Sequence, residues 1–195
     1  MRYFYIHGFN SGPGSRSGAA LEQLLARPVI RCHNDYSRPF PECLARLGQF
    51  ISEKTGNEQA CILGTSLGGF YALQLRLSCI ARVCAWNPVI FPSLQLARFT
   101  GVNTRFTDGS DWVFTREALL SYAQAPDARV WRNFFWNEDT GASEPPERKI
   151  FFGVHDDLLD HEVGAAFWQS HARIELIDAG HSIADFSHSL PFIAA

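Results

Sequence analysis

The sequence predicts a three-layer α/β fold, a mostly parallel sheet of about six strands with helices on both faces. Three observations carry that prediction. Short apolar runs alternate with longer helix-patterned segments along most of the 195 residues. Those runs are near-continuously apolar, as strands buried on both faces are. The string Gly64-Thr65-Ser66-Leu67-Gly68 also stands between an apolar run and a helical one. A strand passing directly into a helix there places glycines on either side of a serine.

In order, the first strand is RYFYI (2–6), and the glycine-rich HGFNSGPGS leads from it into a helix, SGAALEQLLA (17–26). PVIRC (28–32) and ACIL (60–63) are strands separated by the helical PECLARLGQFISEK (41–54). LGGFYALQLRLS (67–78) reads as an amphipathic helix after the serine turn, followed by the strand RVCAW (82–86). Near the end come KIFFGV (149–154), a helix over LLDHEVGAAFWQS (158–170), RIELI (173–177) and a final helix from about 182. Right-handed crossovers between parallel strands then determine most of the topology.

Residues 88–148 break this rhythm, because sixty positions are far more than one crossover needs. The stretch contains a helical piece, TREALLSYAQA, and closes on the polar NEDTGASEPPER. Its aromatics are dense: Phe91, Phe99, Phe106, Trp112, Phe114, Tyr122, Trp131, Phe134, Phe135 and Trp136. It reads as a cap inserted into a single domain at the carboxyl end of the sheet, where open α/β folds bind their ligands. Two readings of the aromatics stand side by side. They form the insertion's own small core, or some of them present an apolar wall to the site below.

Composition excludes several function classes. A 46% hydrophobic, 19% charged chain can bury a core. A net charge of -3 and a pI near 6.1 leave no basic footprint for nucleic acid. No run approaches the length of a membrane span, and the N-terminus lacks the apolar core of a secretory signal. The five cysteines are odd in number and without CxxC spacing, which points to free thiols in the cytoplasm.

By chance a G-x-S-x-G string arises in roughly 5–10% of chains this long, so its context matters more than its letters. A strand before and a helix after are what a nucleophile elbow requires. The turn is tight enough that the residues two away from the serine must be small, as Gly64 and Gly68 are. The hydroxyl then lies at a helix N-terminus, where free amides favour negative charge. A serine nucleophile needs a base, and the base an orienting acid. Of seven histidines, only His181 follows the last strand in a glycine-introduced loop, DAGHS. The acid belongs after the preceding strand, where Asp156 and Asp157 compete. The register favours Asp156, at the strand exit, with Asp157 nearer a helix start and equally at home as a cap. The order Ser, acid, His is that of this elbow.

The two oxyanion donors are expected from the backbone amides of Leu67 and Phe9, with His7 tying down the HGFN loop. That loop matches neither phosphate-binding glycine pattern. The cluster HDDLLDH (155–161) lacks the spacing and second half of a metal shell, so neither metal nor cofactor is expected.

Taken together, YIHGFNSGPGS, GTSLGGF, WNPVIFP, HDDLLDH and AGHSIADF resemble the α/β-hydrolase superfamily, and within it the small bacterial YqiA-like esterases. The resemblance runs nearly the full length and is weakest over 93–148. His155 departs from a glycine common in that family. The resemblance implies cofactor-free ester or thioester hydrolysis, and it supports Asp156 over Asp157. The expected partner is a small-molecule ester, with apolar acyl groups favoured, and not nucleic acid or a membrane. An acyl-thioesterase or peptidase-like acyl hydrolase would use the same residues, and a catalytically idle binding module would share the fold.

Overall fold

A computed structural model describes residues 1–124 and 145–195. Six parallel strands form one sheet: β1 (Arg2–Ile6), β2 (Val29–Cys32), β3 (Ala60–Thr65), β4 (Ile80–Trp86), β7 (Glu147–Gly153) and β8 (Arg173–Ile177), in the order β2-β1-β3-β4-β7-β8. Each strand expected from the sequence is present to within two residues at either end. Pleating sends Phe4 and Ile6 of β1 to one face, with Ile62, Val83 and Ile150, where they join one core. Tyr3 and Tyr5 go to the other, with Leu63, Trp86 and Phe151. Both faces are covered, which accounts for the largely apolar character of the central strands.

Helices α1 (Arg16–Leu25) and α2 (Phe40–Thr55) pack on opposite faces. Ser15 caps α1 by accepting from the Gly18 amide, as an N-cap serine does. The inward face of α2 carries Phe40, Cys43, Leu47 and Ile51, and burying each of the larger side chains contributes about 1.5–3 kcal/mol. Helix α3 (Leu67–Gln74) departs from the amphipathic expectation, because all eight of its residues are buried. It is also shorter than the 67–78 predicted, turning extended at Leu75. Leu75 and Leu77 both lie beside Gly48 of α2, and side chains two apart share a face only in extended backbone.

Between β4 and β7 the described residues form α4 (Pro92–Gln95), a hairpin of β5 (Gly101–Thr104) and β6 (Asp111–Phe114), and α5 (Arg116–Ser121). The hairpin is absent from the sequence expectation. Most of NEDTGASEPPER, with Trp131, Phe134, Phe135 and Trp136, lies outside the described residues. Trp112, Phe114 and Tyr122 are buried, whereas Phe106 is 83% exposed. Helix α6 (His161–Trp168) begins three residues later than predicted, and α7 (Leu190–Ile193), preceded by a 3-10 turn at Ser187–Ser189, begins eight later. Both delays come from aspartates. Asp156 accepts the amides of Leu158 and Leu159, and Asp185 that of Ser187, closing local turns that compete with helix.

Candidate active site

Ser66 follows β3 and opens α3 with φ 52 and ψ -123, a conformation that costs an L-residue about 1–3 kcal/mol. Its neighbours hold it there. The Ser66 amide donates to Trp86 O at 2.9 Å, and its carbonyl accepts from Phe70 N at 3.1 Å and Val89 N at 3.2 Å. The flanking glycines are steric requirements. A Cβ on Gly68 would fall on the carbonyl oxygen of Ile6, and one on Gly64 on that of Gly68.

The loops after β7 and β8 bring the other predicted residues to this turn. His181 Nε2 lies 3.1 Å from Ser66 Oγ, and His181 Nδ1 lies 2.8 Å from Asp156 Oδ2 and 3.1 Å from Oδ1. A carboxylate only accepts, so Nδ1 holds the proton and Nε2 is left as the acceptor for the serine hydroxyl. The Asp156 side chain is 1% exposed. Burial pushes its acidity toward the neutral form, but the His181 N–H and the amides of Leu159 and Leu158 outweigh it. The net effect holds the carboxyl below its usual range and keeps it ionised. Asp157 is exposed, and the cap of α6 is Asp160, which accepts from the Glu162 and Val163 amides. A capping role for Asp157 is thereby corrected, because the turn closed by Asp156 carries the chain past it.

Leu67 supplies a first-turn amide of α3, one that a helix leaves without an intrahelical acceptor. Gly8 packs against Ser66 so closely that a Cβ there would stand 3.3 Å from Ser66 Cβ, which brings Phe9 to the same cleft. The cleft holds about 260 Å³. Val89, Leu96, Phe99, Phe106 and Ile183 give it an apolar side, and Ser11, Ser17 and Thr65 a polar one. The aromatics of the long insertion thus divide. Phe99 and Phe106 reach the cleft, while Trp112 and Phe114 pack edge-on against the ring of Phe9. Among the described residues no group of three His, Cys, Asp or Glu side chains could hold a metal.

His7 has the structural position expected of it. It is 2% exposed, Nδ1 donates to Gly8 O at 2.9 Å, and Nε2 accepts from Asn34 N at 3.4 Å. Burial is the main cause that brings its pKa down from 6.5 to about 4, with the charges of His33 and Arg105 adding to it and the Gly8 bond opposing. The folded state therefore favours neutral imidazole, so the stabilisation is full above about pH 6.5 and is lost as pH falls toward 4. Between pH 7 and 5 this amounts to about 2 kcal/mol. Urea unfolding of the native chain and of His7→Gln at both pH values tests it. The native protein is expected to lose that much more stability than the variant, and parallel losses would remove His7 from the account.

Two asparagines were given no role from the sequence alone. Asn10, at φ 55, accepts from Trp112 Nε1 at 2.9 Å, and its carbonyl from Phe106 N at 2.7 Å, tying the hairpin to the HGFN loop. Asn87, at φ 44, is buried beneath the His181 loop. Asn is enriched among non-glycine residues at positive φ, but nothing in the sequence marked these two as adopting it.

Residues 2–195 match the uncharacterised protein family UPF0227. The chain belongs to that family. The UPF0227 proteins of Yersinia pseudotuberculosis and Yersinia pestis are 28% identical over 97 residues, covering 48% of this chain and 53% of theirs. The chain thus spans about half the length of the curated relatives it matches. This family bears out the YqiA-like resemblance, and the solved structures bear out the fold class. Est1E from Butyrivibrio proteoclasticus superposes with TM-score 0.64 at 15% identity, covering 96% of this chain and 82% of its own. A soluble variant of monoglyceride lipase from Saccharomyces cerevisiae gives 0.65 at 15%, covering 93% and 79%. Mouse α/β-hydrolase domain-containing protein 10 gives 0.67 at 10%, covering 98% and 86%. At such identities these are likenesses of fold, and the fold of this UPF0227 chain is that of an α/β hydrolase. No helix among the described residues is long and apolar enough to cross a membrane.

Proposed function

We propose that this UPF0227 chain is a serine hydrolase that cleaves carboxylic esters through Ser66, His181 and Asp156. The observation that carries the reading is the unbroken line of hydrogen bonds from Asp156 through His181 to the Ser66 hydroxyl, opening on an apolar cleft. Ser66 Oγ attacks the acyl carbonyl as its proton passes to His181 Nε2, and Asp156 stabilises the imidazolium. The amides of Leu67 and Phe9 receive the oxyanion. Collapse of the tetrahedral adduct breaks the ester C–O bond, and Nε2 returns its proton to the leaving alkoxide. A water, deprotonated by His181, then attacks the acyl-enzyme and releases the acid and Ser66. No cofactor takes part. Esterases and monoacylglycerol lipases among the structural neighbours favour this class of substrate. The five unpaired cysteines suit a reducing compartment, the cytoplasm.

The described residues between β4 and β7 serve as a cap on the site, with Phe99 and Phe106 as acyl-contacting surface. Each buried acyl methylene adds about 0.8 kcal/mol, close to fourfold in kcat/KM where the contact holds. p-Nitrophenyl esters from acetate to octanoate are expected to give a rising kcat/KM over the first several carbons, and Phe99→Ala to flatten the rise. A profile flat from acetate onward would make the cleft too short for an acyl chain. Acyl groups that carry charge against Val89, Leu96 and Ile183 are expected to react more slowly, since those side chains offer no compensating partner, whereas Gln95 and Arg98 elsewhere on the cleft wall could meet one.

A further inference from the structure

The base loop and the end of the acid strand both meet one buried side chain that the chemistry above does not use, next to the serine turn in the chain of backbone bonds. Asn87 is 1% exposed and sits just past the end of β4. Its Nδ2 donates to Gly180 O at 2.9 Å and to His181 O at 3.1 Å, and its Oδ1 accepts from Gly153 N at 2.8 Å. Its own amide donates to Phe151 O at 2.9 Å. Trp86 just before it and Val89 two residues after it grip the Ser66 backbone, the one through its carbonyl and the other through its amide. The partners also determine the orientation of the amide, because two carbonyls demand an N–H donor and a backbone N–H demands an oxygen.

We infer that Asn87 is a positioning residue that sets the distance between His181 Nε2 and Ser66 Oγ. This rests on the reading of Ser66 and His181 as nucleophile and base. The side chain satisfies every hydrogen-bonding atom it has, at a site where an unmet polar group costs about 1–3 kcal/mol. It also holds φ 44 immediately before Pro88, a backbone that Asn and Gly tolerate and most residues do not. Beyond joining the ends of β4 and β7, Asn87 bonds the backbone of the proposed base itself. Aspartate has the right shape and the wrong chemistry, because it turns an oxygen toward the carbonyls of Gly180 and His181. Glycine keeps the backbone geometry and removes the side-chain bonds.

Asn87→Asp and Asn87→Gly are tested for kcat and KM on p-nitrophenyl butyrate, with thermal unfolding and the downfield NMR proton of His181 Nδ1. Both variants are expected to fold, to lose at least tenfold in kcat with KM within about twofold, and to shift or broaden that proton. A lower melting temperature with native kcat and an unmoved proton would make Asn87 only structural and overturn the inference. Ser66→Ala, run in parallel, separates the two readings. If it stays active, the assignment of the site has failed. If it is inactive while both Asn87 variants turn over normally, only the positioning role has failed.

Discussion

Ser66→Ala is expected to lower esterase turnover by about three orders of magnitude or more while leaving the fold intact. Among the described residues the Ser66 hydroxyl makes one hydrogen bond, to His181. Alanine keeps the Cβ, so it meets the same demand for φ 52 that serine already meets, and the backbone bonds to Trp86, Val89 and Phe70 remain. What disappears is the nucleophile, and with it the acyl-enzyme. Rates of p-nitrophenyl butyrate hydrolysis, with circular dichroism to check folding, measure the effect. A fluorophosphonate should add to the native chain at Ser66 alone and leave the variant unlabelled. Most of the activity surviving in pure, folded Ser66→Ala would end the assignment. A native chain that neither hydrolyses esters nor takes the label would instead be the idle binding module that shares this fold.

The strands were legible because burial on both faces leaves one pattern, which β3 carries from Ala60 to Gly64, β1 from Tyr3 onward and β4 from Val83 onward. The three residues that meet at the cleft were legible for a related reason. Each stands at the carboxyl end of a strand, where the chain must change direction and where Gly64, Gly153 and Gly180 mark the turns. Helix ends were harder to read. Periodicity alone carried α3 past Leu75, although the packing of Leu75 and Leu77 on Gly48 depends on a neighbouring helix.

The missed hairpin is a different failure, because its signal was present. Asp108-Gly109 lies between runs that alternate, with Trp112 and Phe114 facing in and Val102 and Val113 facing out. Gly109 takes φ 72 in the turn, and Asp108 accepts from Ser110 N. The insertion was read for its helical piece and its aromatics, and this turn was passed over. Asn87 was illegible for a physical reason. Its partners lie 66 to 94 positions away, and nothing local says that an asparagine before a proline will meet them.

Asp156→Asn is expected to cut kcat by about 10³–10⁴, and Asp157→Asn by less than about twofold. The contrast follows from how the Asp156 carboxylate is held. Its Oδ1 accepts from Leu158 N and Leu159 N, each at 2.9 Å, so an asparagine would place its carbonyl oxygen there to keep both bonds. The amide NH₂ then replaces Oδ2, 2.8 Å from His181 Nδ1. Two donors cannot face each other, so the imidazole must move its proton to Nε2, where it meets Ser66 Oγ and can no longer accept from it. The fold survives, because the turn over 156–159 is kept, and KM changes little, because the cleft walls are untouched. Asp157 faces solvent on the same turn and serves as the control for charge alone. Steady-state kinetics on the two variants, with thermal unfolding to show equal folding, decides the matter. A larger loss in Asp157→Asn would transfer the role of the acid by one residue, and equal small losses would mean that His181 does not depend on a carboxylate to orient it.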